Sequence, residues 1–401
     1  MAANVADNYV YLDWAATAPL GPEAYEAMAG YLEPGPGNIA CGGANANSLH
    51  APGRLAFERM ELARREVAQA LKAARPSEIV FTSGATEADN AALLGISHGA
   101  TAVRRQRLGA SFAPRVITTA IEHDAVLAPA QRLKAQGYDV VVLSPDCDGF
   151  VSAGKLAEAV TDNTVLVSVQ LANSEVGSIQ PIAELAAVAH KAGALFHTDA
   201  VQALGKVPVD LKALDVDAAS FSAHKISGPK GVGALYLKAR TPFEPCMLGG
   251  GQESGERSGT QNVAGIVGFA AACSWAVEAA AGERERLSSL RDRLYARLCA
   301  IDGVRATVPA VDSVDYLPNI VHVLVDGFES ETMVLRLDRD GFGVSGGSAC
   351  SSHSLEASHV LRAMGIPSDQ AYGALRISMG RYTTQSDIDA FADAFAACVS
   401  R

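Results

Sequence analysis

Between residues 78 and 240 the chain repeats one pattern: a short, mostly apolar run, then a stretch with helical spacing. Apolar runs fall at 79–81, 116–118, 140–143, 165–169, 195–197, 218–221 and 232–237, with helix-period segments such as 183–191 between them. A strand that is apolar at every position is buried on both faces, and helices between such strands cover both sides of a mostly parallel sheet. The pattern therefore predicts an α/β fold whose ligands gather beyond the carboxyl ends of the strands. At 401 residues the chain exceeds one ordinary core, so two domains are expected. Composition changes after Gly282. Leu287, Leu290, Leu294 and Leu298 give 283–301 the spacing of an amphipathic helix. The remainder reads as a smaller α+β domain with strands near 319–325 and 375–378. The expected division is 21–282 for the large domain, with 1–20 and 283–401 forming the small one.

Charge and cysteine usage exclude several functions. A net charge of −11 without a compensating basic block argues against a nucleic-acid surface. The densest positive run, Arg104-Arg105-Gln106-Arg107, is short and reads as a solvated face. No stretch resembles a leader, and no uninterrupted apolar run reaches membrane-spanning length, so the expectation is a cytoplasmic protein without a membrane contact. Seven cysteines without a C-x-x-C pair suit neither a zinc site nor a disulfide framework, so no metal is expected.

Chemistry concentrates at strand ends. Lys225, in Ser222-Ala223-His224-Lys225, follows an apolar strand and precedes a Gly-Pro turn. Asp199 closes the apolar run that precedes it. A lysine and a carboxylate at neighbouring strand ends are what pyridoxal phosphate requires, one to hold the aldehyde and the other to keep the ring nitrogen protonated. A lone lysine at a strand end is equally a surface or substrate-binding charge. Ser83-Gly84-Ala85-Thr86-Glu87 joins a strand to a helix, and the amides of Ala85 and Thr86 would bind a phosphate. The same residues read as an ordinary capping box, with Thr86 as N-cap and Asp89 three residues on. His123 lies beyond another strand end, as a ring-stacking group or a loop histidine. Gln202 stands one helical turn after Asp199, and Ser222 and His224 flank the lysine. A glycine-rich stretch from Gly249 to Thr260 reads as a ligand loop or a subunit contact.

Cys350 lies in Gly346-Gly347-Ser348-Ala349-Cys350-Ser351-Ser352-His353, a polar stretch with no apolar company. That setting marks it as a reactive thiol, unlike Cys147, Cys246, Cys273, Cys299 and Cys398, which read as small core residues. His353 is either a tuning group for that thiol or a bystander. Arg376 interrupts an apolar strand, where its planar fork is either salt-bridged or directed at a ligand carboxylate.

Together these motifs resemble the cysteine desulfurases that supply sulfur for iron–sulfur cluster assembly and nitrogenase maturation. The resemblance covers nearly the whole chain and is carried by 83–87, Glu122-His123, 197–202, 222–231, 257–260 and Gly347-Ser348-Ala349-Cys350, the last in the form of the flexible-loop branch. It implies a homodimer with the aspartate-aminotransferase-like fold type I of pyridoxal-phosphate-dependent transferases. By position, Lys225 would hold the cofactor and move protons, Asp199 would pair with the ring nitrogen, His123 would stack on the ring and Gln202 would bond its phenolic oxygen. Ala85, Thr86, Ser222 and His224 would bind the phosphate, with Thr260 supplied across the dimer. Arg376 would clamp the carboxylate of L-cysteine, with Asn45 as a further substrate contact. Cys350 would attack the substrate sulfur, leaving L-alanine and a persulfide that passes to acceptor proteins such as an iron–sulfur scaffold, or toward thio-cofactor or tRNA thiolation.

The chain also departs from that family. Ser174 stands where an asparagine usually contacts the cofactor, and a hydroxyl cannot span the same distance, which leaves Asn173 as the substitute. Trp14 replaces a smaller polar residue, and a glycine-rich insert at 35–43 precedes Asn45. The alternatives are another lyase or aminotransferase reaction on the same cofactor, selenocysteine lyase included, and a scaffold that has lost turnover.

Overall fold

A computed structural model describes residues 9–346 and 357–400. After the two-residue strand β1 (Val10–Tyr11) come the strands of the main sheet: β2 (Ile79–Thr82), β3 (Arg115–Thr119), β4 (Asp139–Leu143), β5 (Thr164–Ser168), β6 (Leu195–Asp199), β7 (Ala218–Ser222) and β8 (Gly233–Leu237). They pair in the order β2-β8-β7-β6-β5-β3-β4. Every pairing is parallel except those of β8, which runs antiparallel to β2 and β7. All seven expected strands form, each within two residues of its predicted limits. Their apolar runs are buried from both sides except at the edge strand β4, which is half-buried to exposed along its length, with Val142 on the surface. Val116 and Leu166 face one hydrophobic core, whereas their chain neighbours Ile117 and Val167 face the other.

A second core surrounds an antiparallel sheet of β9 (Val304–Ala306), β10 (Ile320–Val325) and β12 (Ala374–Ser378), ordered β12-β10-β9. β11 (Phe342–Gly343) pairs in parallel with β1 and brings the start of the chain against this unit.

The boundary region departs from expectation. One continuous helix, Val263–Leu298, spans the position of the composition change and begins twenty residues earlier than predicted. Its first half, rich in Ala and Gly, shows no amphipathic stripe because it packs on more than one side, against the helices Pro22–Leu32 and Ala51–Ala70. By length and hydropathy this helix alone, among the described residues, could cross a membrane, a window not anticipated above; half of that window is buried inside the fold.

The opening of the helical stretch after β2 also differs. Gly84, not Thr86, is the N-cap, and no side chain caps the helix that starts at Ala85. The Glu87 carboxylate instead accepts from the Ser83 amide at 2.8 Å. Thr86 sits inside the first turn and Asp89 is buried, so the capping-box reading fails. The stretch then passes through a π-helical turn at Ala91–Ile96 before resuming as an α-helix to Leu108.

Candidate active site

The carboxyl ends of β3, β6 and β7, the start of the helix at Ala85 and strand β12 converge on one cavity of about 410 Å³. Lys225 lies in a short 3-10 turn, Ala223–Ile226, that leaves the end of β7. Its Nζ donates to the carbonyls of Ala15 and Ala16, at 2.5 and 2.7 Å. Asp199, at the end of β6, accepts from the Val201 amide at 2.9 Å. Burial raises its pKa, against that amide and the neighbouring His123 and Lys225.

The wall at the start of this helix is built from backbone. Ser83, Gly84, Ala85 and Thr86 line the cavity, and the helix beginning there carries orphan amides that nothing else caps. Gly84 and Gly231 both face the cavity, and the space a Cβ would occupy at either is empty. Ser222, His224 and Lys230 complete this end. Burial and the neighbouring lysines push the His224 imidazole down to about 4, so the ring is neutral and can donate or accept without repelling the lysines. Its Nδ1 lies 3.1 Å from the Thr17 hydroxyl.

His123 caps the helix Asp124–Ala135, its Nδ1 accepting from the Ala125 amide at 3.0 Å, which fixes the ring against the cavity wall. Gln202 lines the same cavity and donates to the Ala15 carbonyl at 3.0 Å. Its buried Oε1 has no hydrogen-bond partner. Arg376 reaches in from β12. Its Nη2 pairs with Asp13 at 2.7 Å, its Nη1 donates to the Ser174 carbonyl at 2.9 Å, and its buried Nε has no partner. These features fit pyridoxal phosphate. An anion cradle lies at one end, the carboxyl of Asp199 and the primary amine of Lys225 share the cavity, and an orphaned amide oxygen and guanidinium nitrogen lack partners in the protein alone.

Thus Ala85, Thr86, His123, Asp199, Gln202, Ser222, His224, Lys225 and Arg376 share one cavity wall. Asn45 and Thr260 do not line it; both are exposed, and the Asn45 side chain accepts from the Asn47 amide at 2.9 Å. Cys350 and His353 lie outside the described residues. The chain on either side of that segment is fastened at the cavity, however. Ser345 exchanges backbone hydrogen bonds with Arg376. Ser358 donates to Glu175 at 2.6 Å, and His359 sits 3.0 Å from the Glu122 carbonyl. Asn173 is not available to stand in for the missing asparagine. Its amide donates to the Ile121 carbonyl, and its oxygen accepts from the amides of Glu175 and Val176.

Several residues here were not singled out from the sequence. Asp13 pairs with Arg376, and Gln170 and Asp89 line the cavity. Glu122 is fully buried, accepting from the Thr119 hydroxyl at 2.6 Å and the Gln170 amide at 3.0 Å, and burial pushes its carboxyl up to about 8. Lys206 has a buried Nζ with no hydrogen-bond partner, and burial, aided by the charge of Lys225, pulls it down to about 7. A cue was present for Glu122, which adjoins His123, but none for Lys206.

Comparison with known proteins agrees with this geometry. Residues 10–391 match the family described as aminotransferase class-V. A protein of Clostridium botulinum named cysteine desulfurase IscS is 42% identical over 386 residues, covering 95% of this chain and 91% of that protein. Among solved structures, a NifS-like protein superposes with a TM-score of 0.87 at 37% identity, covering 98% of this chain and 99% of that one. SspA in complex with cysteine gives a TM-score of 0.77 at 32% identity, covering 94% of this chain and all (100%) of the other. The chain belongs to the aminotransferase class-V family, within its pyridoxal-phosphate-dependent cysteine desulfurase group.

Proposed function

We propose that this protein removes sulfur from L-cysteine, giving L-alanine and a persulfide on Cys350 that is handed to a sulfur-acceptor protein. The observation that carries the reading is the convergence of Lys225, Asp199 and Arg376 on one cavity. Pyridoxal phosphate bound there supplies an electron sink that stabilises negative charge at the substrate α-carbon. The protein's own residues do the rest. The amides of Ala85 and Thr86, with Ser222 and His224, hold the phosphate, and Asp199 holds a proton on the ring nitrogen. His123 packs on the ring, Gln202 meets its phenolic oxygen, and Ser174 offers a hydroxyl where relatives use an amide. Arg376 orients the substrate carboxylate through the edge that Asp13 and Ser174 leave open. Lys225 Nζ moves the α-proton. The Cys350 thiolate takes the substrate sulfur: an S–S bond forms as the C–S bond breaks, and the α-amino acid leaves as alanine after gaining a proton.

The fastening of Ser345 to Arg376 and of Ser358 to Glu175 supports the place given to Cys350, because the chain enters and leaves that segment beside the cavity. The reading takes the chain as two units, 21–282 and 1–20 with 283–401, in support of which two separate cores flank the cavity. It also takes the enzyme as a cytoplasmic homodimer in which Thr260 serves the partner subunit's cavity; the exposure of Thr260 supports this. The acceptor is a protein of iron–sulfur cluster or thio-cofactor assembly.

The test is the product of L-cysteine turnover with a reductant present. Equal amounts of alanine and sulfide, lost in Cys350→Ala while the cofactor stays bound, are expected. Pyruvate with ammonia, or a requirement for a keto acid, would replace this reading with a lyase or aminotransferase.

A further inference from the structure

The turn that follows β1 touches three functional side chains of the cavity. Ala15, Ala16 and Thr17 line the cavity wall. The Ala15 carbonyl accepts from both Gln202 and Lys225, and the Ala16 carbonyl accepts from Lys225. Thr17 meets the third side chain, His224, with its hydroxyl oxygen 3.1 Å from Nδ1 of the ring. That hydroxyl has no part in the cofactor contacts assigned above.

The Thr17–His224 pair is held on both sides. The Ala18 amide donates to the His224 carbonyl at 2.9 Å, so the two segments are tied through backbone as well as side chain. Three residues on, the Gly21 amide donates to the Ser227 carbonyl at 2.8 Å and keeps the segments alongside each other. The Tyr11 hydroxyl closes the turn from behind, reaching the carbonyls of Asp13 and Thr17 at 2.9 and 3.0 Å. The Ala15 amide fastens the turn to β12, donating to the Ser378 hydroxyl at 2.9 Å. A side chain on a turn fixed at so many points presents its hydroxyl in one place.

The two ring nitrogens of His224 have different surroundings. Nδ1 has the Thr17 hydroxyl. Nε2 makes no hydrogen bond within the described residues, yet it is not buried, so it is the nitrogen left for a ligand of the cavity that the ring lines. A neutral imidazole carries one hydrogen, on one nitrogen or the other. Among the described residues the Thr17 hydroxyl has no acceptor besides Nδ1. Donated there, its proton leaves the ring hydrogen on Nε2. The opposite tautomer would turn a lone pair of Nε2 toward a bound anion. The neutrality of the ring, pushed down to about 4 by burial and the neighbouring lysines, agrees with a single ring hydrogen.

We infer that Thr17 is a positioning residue of the cofactor site, whose hydroxyl donates to Nδ1 of His224 and so keeps the ring hydrogen on Nε2, where it is offered to the cofactor phosphate. The inference rests on the reading that His224 meets the phosphate of pyridoxal phosphate, and it names the group that sets the ring's tautomer.

The experiment measures the affinity of the cofactor-free enzyme for pyridoxal phosphate and for pyridoxal, which lacks the phosphate, both by visible absorption. The variants are Thr17→Val, Thr17→Ser, His224→Ala and the double variant Thr17→Val with His224→Ala. Valine keeps the shape of threonine without its hydroxyl. It should weaken pyridoxal phosphate binding about three- to tenfold and leave pyridoxal binding within about twofold of the wild type. Serine restores the hydroxyl and should return the affinity for pyridoxal phosphate to within about twofold. On the His224→Ala background, Thr17→Val should cost nothing further, because the hydroxyl acts only through that ring. Four results would each overturn the inference: unchanged pyridoxal phosphate affinity in Thr17→Val, an equal loss for pyridoxal, no rescue by serine, or the full loss repeated on the His224→Ala background. Failure of the wild-type chain to bind pyridoxal phosphate would overturn the cofactor reading, and this role with it. Wild-type binding with an indifferent Thr17→Val overturns this role alone.

Discussion

Arg376 holds two jobs at once, and Arg376→Lys separates them. Inside the protein its guanidinium pairs with Asp13 at 2.7 Å and donates to the Ser174 carbonyl at 2.9 Å from a residue only 2% exposed. An ammonium can keep the Asp13 pair but cannot also reach Ser174 in the fork geometry. Losing one charge-assisted hydrogen bond at a buried site costs about 1.5–3 kcal/mol of stability. On the substrate side, a guanidinium edge grips a carboxylate with two parallel hydrogen bonds and an ammonium with one. That difference is again about 1.5–3 kcal/mol, which corresponds to a roughly 10- to 150-fold rise in KM. Because the α-carboxylate does not change during the reaction, kcat should fall far less than kcat/KM. The assay is alanine formation against L-cysteine concentration, with urea unfolding of the same preparation. A folded variant with wild-type KM would refute the clamp and leave Arg376 as a strut between β12 and the turn at Ser174.

Other outcomes follow from the same geometry. Lys225→Ala should abolish turnover while still binding pyridoxal phosphate, which denaturation would then release freely; covalent retention after borohydride treatment would refute the attachment. Glu253→Gln should destabilise the protein by about 3–5 kcal/mol in urea, because it leaves the Arg64 guanidinium, which Glu253 grips at 2.6 and 3.0 Å, buried beside a neutral amide. A loss below about 1 kcal/mol would mean that Glu61, already paired with Arg64 at 2.9 Å, satisfies the guanidinium without Glu253. His322 is fully buried on β10, and burial, then Arg376, pushes it down to about 3. The unfolded chain therefore takes up a proton there near pH 6.5 that the folded one refuses, so stability falls as the pH drops below that value. His322→Gln should make the slope of stability between pH 6 and 5 shallower by about 1.4 kcal/mol per unit, read by urea titration at each pH. An unchanged slope would show that the buried ring already carries its proton.

Much of this fold was legible because strands such as 79–81 are apolar at every position, a pattern that burial on both faces explains. Lys225 and Asp199 were legible for a related reason: a charge that ends an apolar run must sit at a sheet rim. Asp89 was not. Its spacing from Thr86 imitates a cap, and only the structure shows that a glycine without a side chain occupies the cap position. The first half of the helix Val263–Leu298 was missed because small residues packed on more than one side carry no stripe. Two-residue strands such as β1 and β11 lie below any readable period, since their pairing depends on what the tertiary fold brings together. Asn45 carried over a motif position, yet its side chain is spent on a turn with Asn47.

The reversal of β8 has a practical consequence for anyone remodelling this scaffold. An antiparallel neighbour is joined at the same end of the sheet, so the connector from Ser222 to Gly233 never leaves the ligand-bearing rim. It alone delivers Ser222, His224, Lys225, Lys230 and Gly231 to the cavity. Its length is locked, because one inserted residue would rotate the lysine away from the cradle its own neighbours help to form. The helix-to-strand joints that enter β5 and β6 lie at the opposite rim and answer to no such geometry. Grafts, tags and circular permutation belong there.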